Sequence, residues 1–261
     1  MNQRILQIAW RNLWRNPQRT LITVAAIALG YATLLFFACL LEGMRQQMIE
    51  NGTSFSLSHL QVHAASYSPD HSIYETLGGR EGTDVNGLLT AITADPRVRA
   101  ASPRVYSYGL VSCGDHSAGT EILGVVPTQE QQLTALHTRI VTGSYLNEQI
   151  PKGIVLGNEL AKAVGAEVGA EIVLIVQAAN GSMGNDLYTV IGIFHSGLET
   201  LDRSLVLLSL SALQELLSLA PGRVHEVGVA LSDAAQATEV AAALERQLGK
   251  SLPIRVQAWP E

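Results

Sequence analysis

Few side chains in this 261-residue chain have the spacing that a chemical site requires. His59 and His63 fall on one face of a predicted strand and are of the type that ligates metal ions, with His71 as a third candidate. No cysteine or carboxylate cluster lies beside them in the sequence to complete a metal site. We therefore interpret these histidines as part of the surface of an edge strand.

Two other stretches have some features of a site. The segment Gly181–Asp186 has oxygen donors but lacks the Asp and Glu spacing of a calcium loop, so we interpret it as a hairpin tip. The sequence Gly-Lys-Ser at 249–251 has the ending of a phosphate-binding loop, but Leu244 stands where that loop needs its first glycine. We interpret Asp202 and Arg203 as a local structural pair.

The sequence lacks the motifs of common enzymes. It contains no G-x-S-x-G, no S-x-x-K and no H-E-x-x-H. Cys39 and Cys113 lie in different predicted regions, so no intrachain disulfide is expected. We expect no catalytic residue, no cofactor and no metal on this chain, and no nucleic-acid partner.

The element that organises the chain is an apolar run, Leu21–Leu41, that includes Gly30. It has no charged residue, Asn, Gln or Pro, and it shows neither strand alternation nor a polar helical face. A helix of this length spans about 31 Å, close to the thickness of the hydrocarbon core of a bilayer. The run predicts a transmembrane helix. A cleaved signal peptide and a buried core helix fit the run and its basic flank less well.

The charges that flank this run predict its orientation. Residues 1–19 contain four arginines and no acidic residue, whereas 20–261 contain 13 basic and 23 acidic residues. The positive-inside rule places the N-terminus in the cytoplasm and the acidic part on the other side of the membrane.

The first 16 residues predict an amphipathic helix that either lies in the lipid headgroup layer or packs on a neighbouring subunit. The residues that we assign to the membrane interface are Arg4, Trp10, Arg11, Trp14, Arg15 and Arg19.

Beyond the apolar run, the helix is expected to continue through Glu42 and Met44 to Glu50, where Asn51-Gly52 ends it. The resulting rod from Leu21 is about 45 Å long, so it can transmit movement or act as a stalk. The residues assigned to this transmission helix are Leu21, Gly30, Leu41, Glu42 and Met44.

The remaining sequence predicts a mixed α and β domain. Strand–helix–strand units open it (57–63, 85–93, 98–113) and close it (224–231, 233–248, 254–258), with a β-rich stretch between them. This stretch begins with a predicted turn at 114–119 and includes a predicted helix at 158–164 that Gly165 ends. The predicted fold class is a membrane-anchored α+β protein. It has a cytoplasmic helix (1–19), a transmembrane helix with an extension (20–50), an α/β subdomain (51–111 and 211–261) and an inserted β-rich subdomain (112–210).

One motif identifies a family. Residues 9–20 read AWRNLWRNPQRT and, with Ile27–Gly30, resemble the N-terminal signature of FtsX-like ABC transporter permeases. Weaker matches follow in the family's order at 59–63, 123–127, 153–157, 190–197 and 256–259. The family includes lipoprotein-releasing permeases and MacB-type exporters, and the combination resembles the lipoprotein-releasing branch most.

The resemblance implies a location in the bacterial inner membrane and a periplasmic core domain with two subdomains. It also implies a separate cytoplasmic ABC ATPase, which binds ATP and Mg. The other implied partners are the lipid bilayer, the remaining permease helices or a second permease subunit, and a periplasmic lipoprotein carrier. In the family, ATP-driven closure moves the periplasmic domain to release or export lipoproteins or other lipophilic substrates.

The chain departs from the family in one respect. Family permeases have four membrane helices, whereas this sequence ends at Glu261, about where the second helix is expected. Two functions therefore stay open at this point. One is the N-terminal portion of a non-catalytic permease subunit, and the other is a membrane-anchored periplasmic adaptor that recruits proteins without moving cargo.

The orientation can be tested with a reporter enzyme that is active only in the periplasm. Because the arginines precede the apolar run, a fusion after Glu261 should be active and a fusion after Arg19 should be inactive. Reporter activity after Arg19 would show that the orientation is inverted.

Overall fold

The computed structural model describes residues 10, 15–55, 58–67, 74–79, 84–249 and 252–258. Contacts divide the chain into two compact units, Met1–Glu50 and Asn51–Glu261. We call the second unit the C-terminal domain. The chain combines one long N-terminal apolar helix with a mixed α+β domain, which confirms the predicted class at that level.

The long helix, α1, spans Pro17–Phe55. Proline suits its first turn, where the missing N–H would have no helical partner. The hydroxyls of Thr23 and Thr33 donate to carbonyl oxygens four residues earlier, so these polar groups are satisfied inside the helix. The predicted end at Asn51-Gly52 is wrong, because α1 continues through both residues. Each has a helix penalty of about 1 kcal/mol or less, which neighbouring turns can offset.

The described part of the C-terminal domain contains ten strands and six α-helices. The strands are β1 (Leu60–Ala64), β2 (Val98–Cys113), β3 (His116–Val125), β4 (Ile140–Gly143), β5 (Gly153–Gly157), β6 (Glu171–Gln177), β7 (Met183–Phe194), β8 (Leu205–Ser209), β9 (Glu226–Leu231) and β10 (Ile254–Ala258). The helices are α2 (Val85–Thr93), α3 (Pro127–Leu133), α4 (Asn158–Val164), α5 (Glu199–Ser204), α6 (Leu210–Leu216) and α7 (Ala237–Leu248). Short 3-10 helices span Leu136–Arg139 and Ala234–Gln236.

Six strands pair in a closed ring, in the order β2, β3, β8, β5, β7, β6 and back to β2. The pairs β3–β8 and β5–β7 are parallel, and the others in the ring are antiparallel. Strands β9, β1 and β10 extend the sheet from the first half of β2, and β4 extends it from β7. The ring encloses the alternate apolar side chains of its strands, such as Ile172, Leu174 and Val176 of β6.

One hydrophobic cluster joins the ring to the strands beside it. It contains Val62 of β1 and Val256 of β10 together with Leu174 of β6 and Val190 of β7. The predicted boundary between residues 111 and 112 falls inside β2, which pairs with both groups of strands. The division into an α/β and a β-rich subdomain stays a prediction.

Several predicted elements are confirmed. Helix α2 has the predicted bounds, and the side chain of Asp84 caps it by accepting a hydrogen bond from the N–H of Asn86. Helix α4 ends at Gly165, whose φ of 67° is the left-handed conformation that favours glycine. Strands β2 and β10 also have their predicted bounds.

Other predicted bounds are corrected by the structure. The predicted turn Gly114–Gly119 contains only two turn residues, because Cys113 already pairs with His116 in a tight hairpin. Asp233 caps a 3-10 helix, and α7 starts only at Ala237. The first strand begins at Leu60, three residues later than predicted. Strand β4 and helix α5 have too few residues for a periodic pattern and were not predicted.

Gly109 occupies the position where β2 pairs with both β3 and β6. A Cβ atom there would lie 2.3 Å from the carbonyl oxygen of Ile175. We predict that Gly109→Ala lowers the free energy of unfolding of the full chain by about 1–3 kcal/mol, because the backbone must shift. Denaturant titration followed by circular dichroism measures this change. Gly119→Ala in the neighbouring strand is the matched control, because nothing lies within 4 Å of its added Cβ. Equal stability of the two variants would contradict the close approach.

Candidate functional site

The residues assigned to the transmission helix all lie in α1. Its segment Pro17–Met44 has 28 residues, and the most apolar 18 of them have a mean hydropathy of 2.4, so the segment is long and apolar enough to cross a membrane. None of the most apolar part is buried against the described parts of this chain. The side chains of Leu21, Leu41, Glu42 and Met44 are exposed, and a Cβ atom on Gly30 would meet nothing within 4 Å. Membrane anchoring and transmission stay predictions.

The residues assigned to the membrane interface are only partly described. Trp10 is 66% exposed, and Arg15 and Arg19 are also exposed. Arg4, Arg11, Trp14 and most of the predicted amphipathic helix lie outside the described residues. Their role at the interface stays a prediction.

The candidate metal-binding histidines occupy two different environments. His63 is buried in β1, where its ring stacks on Tyr67 with 3.7 Å between ring centroids. The Nδ1 atom of His59 accepts a hydrogen bond of 2.8 Å from the N–H of Leu231. Burial and the positive charge of Arg99 lower the pKa of His59.

The interpretation of these histidines as an edge-strand surface is wrong. β1 lies between β9 and β10, so it is an inner strand of the sheet. His71 lies outside the described residues. Among the residues that the structure describes, no group of three His, Cys, Asp or Glu side chains is arranged to hold a metal ion.

The hairpin of β6 and β7 is confirmed, but the predicted tip Gly181–Asp186 is too long, because Met183–Asp186 already pair with β6 and only Gly181 and Ser182 lie at the tip. Its tip is stabilised by Asn180, whose Oδ1 atom accepts hydrogen bonds from the backbone and hydroxyl of Ser182. Asp186 lies within β7, where both of its carboxylate oxygens accept hydrogen bonds from Lys152. The hydrogen bonds from Lys152 lower the pKa of Asp186. The oxygens of Asn180 and Asp186 are therefore already engaged within the chain.

Asp202 and Arg203 both stabilise local structure, but each does so with a different partner and they are not paired with each other. The buried Asp202 accepts hydrogen bonds of 2.8 and 2.7 Å from the backbone and hydroxyl of Ser196, and its Oδ2 atom lies 2.7 Å from Nδ1 of His195. Arg203 instead donates to Glu199 on the surface of α5. Asp202 thus holds the segment that connects β7 to α5.

The most unusual polar feature is a buried ionic group that was not predicted from the sequence. Arg104 of β2, Glu130 of α3 and Glu226 of β9 are at most 1% exposed. Two nitrogens of Arg104 donate to the two carboxylate oxygens of Glu130, with Nε at 3.1 Å, and Nη1 donates to Glu226 at 3.2 Å. We call these three residues the Arg104 cluster.

Polar side chains surround the Arg104 cluster. The Nε2 atom of His63 lies 3.8 Å from Oε2 of Glu226. Burial and then the charge of Glu226 raise the pKa of Tyr106, and they raise the pKa of Tyr67 to about 12. Burial disfavours the charged form of Arg104 and so lowers its pKa. The negative charges of Glu130 and Glu226 have the larger effect, and the pKa of the guanidinium is raised.

The Arg104 cluster is a pairing site and has no access for a substrate, because none of its three side chains reaches solvent. The sequence did contain a signal for it. Arg104 and Glu226 are charged residues in stretches that are otherwise buried strands, and buried charges require partners. The partner on α3 could not be identified, because Glu130 lies in a short helix among other polar residues.

Comparison with known proteins gives these features a family context. The sequence model of the MacB-like periplasmic core domain matches residues 20–247. The chain is 27% identical over 248 residues to the lipoprotein-releasing system transmembrane protein LolC of Xylella fastidiosa. This alignment covers 92% of this chain and 55% of LolC. It is 23% identical over 237 residues to the LolE protein of Haemophilus influenzae, which covers 87% of this chain and 54% of that protein. The chain thus spans about half the length of the curated relatives it matches.

Solved structures agree at the level of the fold. The crystal structure of the periplasmic region of MacB from Actinobacillus actinomycetemcomitans superposes with a TM-score of 0.53 at 14% identity, and the match covers 81% of this chain and 94% of that structure. The sequence match and the shared fold agree with the resemblance carried by the N-terminal motif. The chain belongs to the family of the MacB-like periplasmic core domain and, with it, to the FtsX-like ABC transporter permeases.

Proposed function

We propose that this chain is the N-terminal portion of a non-catalytic permease subunit of an ABC transport system. In this proposal it couples ATP hydrolysis in the cytoplasm to movements of its C-terminal domain in the periplasm, which release or export lipoproteins or other lipophilic substrates. The observation that carries the proposal is α1, a single helix that contains the whole apolar run and continues to Phe55. Membership of the permease family supports it.

The length of α1 suits a rod that leaves the membrane. Its 39 residues span about 58 Å, of which the run Leu21–Leu41 accounts for about 31 Å. Glu42 is the first charged residue after the run and suits the membrane surface. The 14 residues from Glu42 to Phe55 extend the helix by about 21 Å. A continuous helix resists bending, because every turn is hydrogen-bonded to the next.

The proposal assigns partners to both sides of the membrane. A cytoplasmic ABC ATPase on a separate chain binds ATP and Mg, and the remaining permease helices or a second permease subunit pack against α1 in the bilayer. The exposed apolar side chains of α1 support this, because they require lipid or other helices to cover them. On the periplasmic side, the proposed partner is a lipoprotein carrier. The proposed location is the bacterial inner membrane, with the N-terminus in the cytoplasm.

The first test concerns catalysis. The purified chain alone is expected to hydrolyse no ATP, because its sequence has no phosphate-binding loop. A phosphate-release assay measures this after chromatography that removes contaminating ATPases. ATP turnover that co-purifies with the chain would contradict a non-catalytic subunit.

The second test concerns transmission through α1. Proline in place of Met44 removes the N–H that bonds to the carbonyl of Leu40 and clashes with that carbonyl, at a local cost of about 3 kcal/mol or more. The resulting kink lies just beyond the apolar run, so membrane insertion should be preserved. We predict that Met44→Pro in the reconstituted complex keeps ATP hydrolysis but reduces cargo release at least tenfold. The assay follows transfer of a labelled lipoprotein out of proteoliposomes.

Met44→Ala is the control for this test. Met44 is 56% exposed, and alanine has the highest helix propensity, so this variant should release cargo at the normal rate. If Met44→Pro also releases cargo normally, α1 is only a tether. In that case a membrane-anchored adaptor becomes the better description of the chain.

A further inference from the structure

Helix α3 buries two apolar side chains, Pro127 and Leu133, and one charged side chain, Glu130. It has seven residues, from Pro127 to Leu133. Leu133 packs with Ala100 of β2 and Ala230 of β9 in a small cluster that is separate from the main core. Since alanine buries little area, this contact contributes less than a typical helix–sheet interface. The buried charge of Glu130 is therefore a further contact that can determine whether α3 stays docked.

That interaction is the ion pair between Glu130 and Arg104. Glu130 lies in the middle of α3, and both of its oxygens accept hydrogen bonds from the guanidinium of Arg104. The hydroxyl of Thr134, at the end of the helix, also donates to Glu130 at 3.3 Å. The buried polar anchor of α3 is thus the carboxylate of Glu130 on Arg104, and at the surface Arg99 of β2 donates to the carbonyl of Gln132 at 3.3 Å.

Arg104 has a second carboxylate that does not belong to α3. Glu226 is in β9, which pairs with β2 in the sheet, so it stays beside Arg104 whatever α3 does. With α3 docked, one guanidinium faces two carboxylates in a site closed to solvent. With α3 released, Arg104 and Glu226 remain as a neutral pair and Glu130 returns to water. Release therefore leaves the charge of Arg104 paired with Glu226, while its Nε and Nη2 donors exchange Glu130 for water.

The two ends of α3 border different clefts. Gln131 and Thr134, near its C-terminal end, line a cleft of about 390 Å³ together with His59, Arg99 and His137. Val126, just before its first residue, borders two others of about 360 and 310 Å³. Residues at both ends of the helix therefore face clefts, and its displacement would change the lining of all three.

From these observations we propose that α3 is a lid that docks on and leaves the Arg104 cluster. Glu130 holds the closed lid, and Glu226 holds Arg104 when the lid is open. The two carboxylates therefore have opposite effects on the lid. A purely structural ion pair predicts instead that loss of either carboxylate loosens the same region.

The test is hydrogen–deuterium exchange of the full chain in nanodiscs, with peptides that report on α3, β2 and β9. Glu130→Gln removes the charge that holds the lid, so exchange of the α3 amides should rise at least tenfold. Glu226→Gln removes the charge that stabilises the open state, so exchange of the same amides should fall at least tenfold. Faster α3 exchange in Glu226→Gln, or an equal rise across β2 and β9 in both variants, would overturn the proposal.

A measurement on the unmodified chain covers the case in which a variant fails to fold. The N–H groups of Gln129 and Glu130 donate to the carbonyl of Val126, and that of Thr134 donates to the carbonyl of Glu130, so these amides report on the two ends of α3. If α3 opens as a lid, these amides exchange at least tenfold faster than those of β9, at a rate that low denaturant does not change. If they exchange only with β9 and with the same denaturant dependence, α3 opens only by global unfolding and there is no lid.

Discussion

Strand β2 is the constraint on which the C-terminal domain depends. It is hydrogen-bonded to β3 along one edge, while its other edge is shared between β9 at 98–104 and β6 at 109–112. Between these two partners, the backbone N–H and carbonyl groups on this edge of β2 would have no strand to bond. His225 fills part of the gap, because its backbone N–H donates to the carbonyl of Arg104 and its Nδ1 atom accepts from the N–H of Tyr106. A side chain thus replaces a strand where the sheet changes partners.

The same gap explains where the buried charges lie. Arg104 is the last residue of β2 that pairs with β9, opposite Glu226, so the two face each other by register. A buried guanidinium has five donors and needs acceptors on several sides, which one carboxylate cannot provide. Glu130 comes from outside the sheet and accepts from two more nitrogens of the guanidinium. Hydrogen-bond demand at the edge of β2 therefore acts together with the burial of Pro127 and Leu133 in positioning α3.

The sequence predicts the parts of this fold that local patterns determine. α2, α4 and β10 have clear capping residues, a terminating glycine or strand alternation, and their predicted bounds are correct. The closed ring could not be predicted, because the β2–β6 pairing joins segments about 65 residues apart and leaves no local pattern. The Arg104 cluster could not be predicted from the sequence for the same reason. Its members are 26 and 122 residues apart, and only three-dimensional pairing brings them together.

The end of α1 illustrates the limit of local signals in a long helix. Asn51-Gly52 is a typical stop signal, yet α1 continues to Phe55. Residues such as Asn and Gly end a helix only where a non-helical conformation of the segment is more stable than the helix. In a helix of 39 residues most turns are already formed, which favours its continuation. Glycine there still has the lowest intrinsic helix stability of any residue except proline. Under the proposed function, Asn51-Gly52 is thus where a rod that transmits movement would bend most readily, between the stiff apolar run and the first strand of the C-terminal domain.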